Sequence, residues 1–299
     1  VVTCTGGLDA EFSGVADMVR RAGLRLDAIA VSPSVDRQST PPGSAWPACP
    51  PLEDVYAAAR RAFPDIRLGG GMFSYFTELN RKRVPADLLD FVTHCTCPIV
   101  HAADDLSIMQ SLEALPFITR SARSIFGNKP YRIGPSTIAM RQNPYGGATK
   151  DNPQGQRIAM ANRDPRHAGL FAAAWTIGYA ARVAPVGLEQ LTLSSFAGPF
   201  GVLAAAGEPV EEGGQRPISR AVKGLCELAG HTHIEARSTD ETRVLALAGR
   251  PASGNTIVWL ANLTPGDVKV DVDGLVTDGT SSASRRLSMT PYAITRLTV

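Results

Sequence analysis

The sequence predicts an α/β chain: a (β/α)8 TIM-type barrel, N-terminally incomplete with about six βα units visible, followed by a small antiparallel β-sandwich. Three observations carry this. Short β-branched runs alternate with helix-period segments, the signature of parallel strands joined by crossover helices. Polar residues gather directly after the strand runs, where a barrel keeps its site. From about His233 the pattern changes to short alternating strands between Gly, Asp and Pro turns. The expected division is residues 1–232 for the barrel and 233–299 for the β-sandwich. An open doubly wound sheet is the competing architecture.

In chain order, "VVTCT" reads as a buried strand, and "DAEFSGVADMVRRAGL" places Phe12, Val15, Ala16 and Val19 at helical spacing with Gly23 as the stop. "LDAIAVSPS" is the next strand. After a Pro-rich loop, Ser32 to Pro51, comes a helix, "PLEDVYAAARRAF", whose early Glu53 and Asp54 suit an N-terminus. "IRLGGGMFSYF" is a strand, "PADLLD" a short helix, and "FVTHCTCPIVHAADD" a strand followed by a helix from Ser107 to about Phe126. "PYRIGPSTIAM" is a strand with a long polar exit loop, Arg141 to about Asp164. A helix from His167 to Val183, the strand "LEQLTLSSF" and the helix "ISRAVKGLCELAG" complete this part. Eight strands close a barrel and the pattern repeats about six times, so the missing strands are expected before Val1 or the sheet keeps an unprotected edge.

Composition narrows the function. The 30 Lys and Arg residues against 28 Asp and Glu give a formal charge of +2 and are scattered, which disfavours nucleic acid and anionic membrane as partners. The apolar stretch from Gly169 is interrupted by Arg182 and Pro185 and reads as a buried helix, not a membrane span. The five cysteines Cys4, Cys49, Cys95, Cys97 and Cys226 are odd in number and dispersed, which fits a reducing compartment and places the protein in the cytoplasm.

Chemistry is sought at the strand ends. Glu78 is the carboxylate nearest its strand end, with Asn80 and Arg81 following, and suits a general acid or base; a loop ion pair with Arg81 or Arg83 is the plain alternative. The three glycines Gly69, Gly70 and Gly71 lack the Lys-Ser/Thr ending of a phosphate loop and read as strand-packing residues. His94, His101, Asp104 and Asp105 form the densest polar group, suited to an imidazole base with a carboxylate partner. No cofactor is expected. A divalent metal on these four residues is the alternative, although His94 and His101 lack the i, i+4 spacing of a zinc helix. Cys95 and Cys97 read as core thiols. Arg141, Gln142, Asn143 and Tyr145 suit polyhydroxy or carboxylate ligands, and Arg141 could steady an oxyanion. Tyr75, Asn80, His101, Asp105, Arg141, Asn143 and Ser195 complete the substrate-binding set. "SSFAGPFG" lacks a nucleophile elbow, so Ser194 and Ser195 read as lining or cap residues.

The runs "GGGMFSYFTELNRKRVP", "DFVTHCTCPIVHAADD", "YRIGPSTIAMRQNPYG" and "LTLSSFAGPFGV", in this order before a β module, resemble the D-apionate lactonase (D-apionolactonase) family of bacterial apiose catabolism. The similarity runs from about Val1 to the end and matches the middle and C-terminal part of a longer family protein. It implies a (β/α)8 domain flanked by β domains and hydrolysis of a branched-sugar aldonolactone to its aldonate. No residue roles follow from it. The fold also resembles the large (β/α)8 glycoside hydrolase clan, which carries an Asn-Glu pair after its fourth strand and a Glu after its seventh. Counting back from the last barrel strand, "AIAVSPS" is fourth and "YRIGPSTIAM" seventh, and neither has a Glu. Retaining hydrolysis needs two carboxylates about 5 Å apart, so this departure favours a lactone.

The expected reaction is attack of water on the ring carbonyl of a small sugar lactone. Glu78 or a His94/Asp104 pair acts as base, Arg141 and Asn143 hold hydroxyls or the oxyanion, and His101 orients a partner. A TIM-barrel glycoside hydrolase, a non-catalytic carbohydrate-binding barrel and a metal-dependent hydrolase are the alternatives.

Overall fold

A computed structural model describes residues 7–277 and 281–299; the expected first strand Val1–Thr5, with Cys4, lies outside the described residues. Five parallel strands form one sheet in the order β1 (Ala28–Ala30), β2 (Arg67–Tyr75), β3 (Phe91–Cys95), β4 (Tyr131–Ile133) and β5 (Gln190–Leu191). Each strand pairs with its successor in sequence. A doubly wound sheet would reverse its order at a switch point, so this unbroken progression is that of a barrel wall.

The three glycines of β2 each serve a different close approach. A Cβ on Gly69 would lie 2.1 Å from the Phe91 ring, and one on Gly70 would lie 2.5 Å from the Tyr56 hydroxyl. Gly71 has φ +135°, with its would-be Cβ 2.0 Å from the Thr93 carbonyl oxygen. They are strand-packing residues. Outside the sheet lie α1 (Leu8–Arg21) and α2 (Leu52–Ala62), which bury Phe12, Val55, Tyr56 and Ala59 with Leu68 and Met72.

Several elements depart from the sequence reading. The segment "FTELNRK", read as a strand exit, is a helix, α3 (Phe76–Lys82), that starts directly off β2. "PADLLD" makes a single 3-10 turn, Ala86–Leu88. The helix expected over Ser107–Phe126 is broken into α4 (Asp105–Gln110), a 3-10 turn and α5 (Leu115–Phe126), because Pro116 has no N–H to continue the ladder. β4 stops at Ile133, before Gly134 and Pro135, and β5 keeps two of its expected residues.

Helix α6 (Leu170–Val183) buries eleven of its fourteen residues. A helix apolar on every side must be covered on every side. Leu112, Leu115, Ile133 and Leu193 cover it from the barrel, and Leu245, Trp259, Ala261 and Leu263 from the C-terminal β region, so the two parts share one core. α7 (Pro217–Leu228) packs beside it, its Gly224 admitting the Trp259 ring. The β region comprises β6 (Thr232–Ile234), β7 (Val244–Arg250), β8 (Ile257–Asn262), β9 (Val268–Thr277), β10 (Ser281–Met289) and β11 (Ile294–Thr298). They form a four-stranded antiparallel sheet, β11-β8-β7-β6, and a β9–β10 ribbon, which together enclose a second small core of Val244, Val258, Leu260 and Met289.

Gly178 of α6 sits where a Cβ would lie 2.9 Å from Leu112, 3.3 Å from Leu263 and 3.4 Å from Leu245. A branched side chain there overpacks both halves of the shared core. Gly178→Val is expected to lower unfolding free energy by about 1–3 kcal/mol in urea denaturation; an unchanged midpoint would show the two halves to be loosely docked.

Candidate functional site

The sheet face away from the helices holds a cavity of about 410 Å³ that receives residues from all five parallel strands. Along β3, Phe91, Thr93 and Cys95 face this cavity, whereas Val92 packs into the helix-side core. Beyond the strand ends, Thr96, Cys97, Thr137, Arg141 and Gln142 form the rim with Tyr75. Toward the strand starts, Arg132 lies 3.7 Å over the Phe91 ring and pairs with Glu189 at 2.6 Å, so its charge is already neutralised.

Arg141 and Tyr75, both expected site residues, meet here. The Tyr75 hydroxyl donates to the Gln142 carbonyl at 3.0 Å, and burial raises its pKa, so it remains a protonated phenol. The Arg141 guanidinium stacks on Phe200 at 4.3 Å. Burial lowers its pKa, yet among the described residues no carboxylate pairs with it. Gln142 Nε2 is buried without a hydrogen-bond partner. A buried donor left unsatisfied costs about 1–3 kcal/mol, so it suits a ligand oxygen. Neither Asp, Glu nor His lines the cavity among the described residues.

His94 lies elsewhere. It is fully buried on the helix side of β3, edge-on to Phe76, with Nδ1 3.0 Å from the Cys95 carbonyl and Nε2 2.6 Å from the Tyr131 hydroxyl. The carbonyl can only accept, so Nδ1 carries the proton and Nε2 accepts from Tyr131. Burial pushes the imidazole down to about 4. It is a neutral tie between β3 and β4, away from the cavity. Asp104, its expected partner, is exposed and caps α4 by accepting from the Ser107 amide at 2.8 Å; the Ser107 hydrogen bonds hold its carboxyl below the usual range. The His94/Asp104 dyad does not form.

Glu78 sits on α3, off the cavity lining and 3% exposed. Its carboxylate receives Ser39 Oγ and the Thr40 amide at 3.1 Å each and Arg81 at 2.8 Å, with Lys82 at 3.8 Å. Asn80 is exposed and accepts from Arg83. His101 is exposed, its ring 5.9 Å from Tyr145. Asp105 pairs with Arg157 and Arg166, both at 3.0 Å. Asn143 braces its own loop through Tyr145 N and Ala148 O. Ser195 donates to the Ala197 carbonyl at 2.9 Å. Among the described residues no group of three or more His, Cys, Asp or Glu gathers as a metal cage, so the four residues weighed for a divalent ion do not converge.

The rim residues Thr96 and Thr137 lay outside the expected set, and Gln142 stands beside Arg141 as the ligand reading expected, while Cys95, buried, and Cys97, packed against the core, also line the cavity. The strand ends at Cys95, so strict alternation stops and Thr96 and Cys97 both turn to the opening. Burial pushes the Cys97 thiol up to about 12, and it stays protonated at neutral pH. Among the described residues no helix is long and apolar enough to cross a membrane.

Residues 1–230 match the family model for the D-apionate lactonase TIM barrel domain, and residues 241–297 that for the C-terminal immunoglobulin-like domain of the same family. A D-apionate lactonase from Brucella anthropi is 55% identical over 294 residues, covering 98% of this chain and 46% of the relative. The chain thus spans about half the length of that curated relative. A 4-O-α-L-rhamnosyl-β-D-glucuronidase from Fusarium oxysporum superposes with TM-score 0.57 at 14% identity, over 99% of this chain and 71% of that one. An arabinofuranosidase from Xanthomonas axonopodis pv. citri gives 0.56 at 10% identity, over 99% and 74%. These structural likenesses show the fold alone.

His94 gives this half-barrel a pH dependence. Its native pKa of about 4 lies below the ordinary 6.5, so between those values the unfolded chain takes up a proton that the native chain refuses. The stabilisation is complete above the unfolded value and disappears as pH falls toward the native one. Wild type is expected to lose about 2 kcal/mol more than His94→Phe between about pH 7 and pH 5 in denaturant melts. His167, also buried with a lowered pKa, leaves a residual slope in both. Equal losses would refute the neutral assignment.

Proposed function

Since the chain belongs to the D-apionate lactonase family, we propose that it opens a sugar-acid lactone of the D-apionolactone type to its aldonate. The observation that carries this is the placing of the Arg141 guanidinium and the unpartnered Gln142 Nε2 on one cavity rim that, among the described residues, bears no carboxylate. Among the described residues neither donor has an acceptor of its own. Water adds to the lactone carbonyl, the carbonyl oxygen takes up negative charge, and Arg141 and Gln142 supply hydrogen bonds where that charge develops. Collapse breaks the bond from acyl carbon to ring oxygen. The ring oxygen takes a proton to become a hydroxyl, and the acid product ionises, so each turnover releases one proton. The described lining offers neither imidazole nor carboxylate, so the role we assign to it is to bind the lactone and stabilise the oxyanion.

A retaining glycosidase is the weaker reading. It needs two carboxylates about 5 Å apart, whereas the exits of β1 and β4 carry Ser32 and Ser34, and Ser136 and Thr137. Glu78 is held by three donors, with the Lys82 ammonium 3.8 Å away, off the cavity lining. Non-catalytic sugar binding is favoured by the same absence of a base from the described lining, and it predicts binding without turnover. We place the reaction in cytoplasmic apiose catabolism, supported by the family and by the free Cys97 and Cys226.

Proton release on D-apionolactone tests the assignment. Arg141→Ala is expected to lower kcat about 10²- to 10³-fold. Arg141→Lys recovers part of the loss, since an ammonium supplies charge without the planar fork. An Arg141→Ala enzyme with wild-type rate would overturn the reading, and wild-type binding without proton release would establish the non-catalytic one.

A further inference from the structure

Glu78 is buried, multiply hydrogen-bonded and outside the cavity, and what it holds is the loop between β1 and α2. Ser39 Oγ and the Thr40 amide donate to its two oxygens. Lys82, one turn on, sits 3.8 Å from the same carboxylate and donates to the Gln38 carbonyl at 2.9 Å. Three consecutive loop residues are therefore tied to α3. The loop in turn touches the exit segment of β4, since the Ser39 amide donates to the Pro144 carbonyl at 2.8 Å. Pro144 lies three residues after Arg141. Tyr75 holds the Gln142 carbonyl between them, and the Met140 amide donates to Ala161 on the near side. The segment bearing the two free donors is thus pinned at Met140, Gln142 and Pro144, and the last pin depends on Glu78.

We infer that Glu78 is a positioning residue: through Ser39 and Pro144 it fixes the segment that carries Arg141 and Gln142 at the cavity rim. Its effect on turnover rests on the lactonase reading; its hold on the loop does not. An oxyanion donor misplaced by about 1 Å can cost 10²-fold, so a remote anchor has kinetic weight.

Two readouts separate these parts. Of the three tryptophans, Trp46 belongs to the Glu78-held loop, 48% exposed with Lys82 Nζ 5.5 Å from its ring, whereas Trp175 and Trp259 are 2% exposed. Acrylamide quenching therefore reports the loop without any substrate. Glu78→Gln is expected to raise quenching and to lower kcat/KM about 10- to 100-fold with an unchanged pH–rate profile. In an Arg141→Ala background it should cost less than about twofold more, because one interaction is lost only once. Ser39→Ala, which keeps the amide to Pro144 and removes one of the donors, should show the smaller shift of the same sign. Quenching unchanged in both variants, full additivity with Arg141→Ala, or loss of a limb of the pH profile in Glu78→Gln would each overturn the assignment. The last would make Glu78 a direct acid or base. A wild type that opens no lactone would defeat the proposed reaction, while the quenching comparison would still decide the anchor.

Discussion

The constraint on which the rest of the chain depends is the burial of α6 on all sides. Its run from Phe171 to Ala180 has no polar face to show to water, so it folds only where two other layers close over it. The barrel helices and strand ends provide one layer and the sheet of β7, β8 and β11 the other. Tyr179, at the cavity-side end of this packing, reaches the Thr96 hydroxyl at 2.9 Å, and Thr96 also meets Ser136 at 2.9 Å. The wall of the cavity is in this way registered against the shared core.

Above that core, buried ions fix the loops. Arg166 meets both oxygens of Asp164, at 2.8 and 2.6 Å, and extends to the Ala103 carbonyl and Asp105, which joins the α4 turn to the long loop after β4. Arg216 holds Glu208 and the carbonyls of Gly198 and Gly201, fastening the loop after β5 that carries Phe200 under Arg141. Such pairs contribute little net stability after desolvation, and their use is in specifying one arrangement. Every one of these ions is consumed in holding backbone. Arg141 and Gln142 keep their donors for something else, and this contrast distinguishes the site from its scaffold.

Much of the fold was legible in the sequence, and little of the site. The helix around Phe12, the strand through Gly69–Gly71 and the helix around Trp175 each had a strong period or an unambiguous composition. Helix α3 was missed because seven residues make too short a repeat to register, and α4 and α5 merged into one expected helix running across Pro116. On β3 the sequence could not say whether His94 or Thr93 faces the cavity, because both faces of a parallel strand are buried and its five residues are buried throughout. Glu78 looked like a base because it follows a strand; its three donors and the Lys82 charge beside it come from a loop some forty residues earlier and from its own helix.

The sequence by itself determined the succession of parallel strands from β1 to β5, the change to a β region near His233 and the family, because periodicity and long specific runs are local properties of a chain. Only the tertiary structure decided which face each strand turns to the cavity and which charged groups are already paired. Both are settled by contacts between segments distant in sequence: Tyr131 claims His94, Ser39 and Thr40 claim Glu78, and among the described carboxylates none claims Arg141. Side-chain chemistry names the candidates for a site, but the partners that use it up, or leave it free for a ligand, arrive only with the fold.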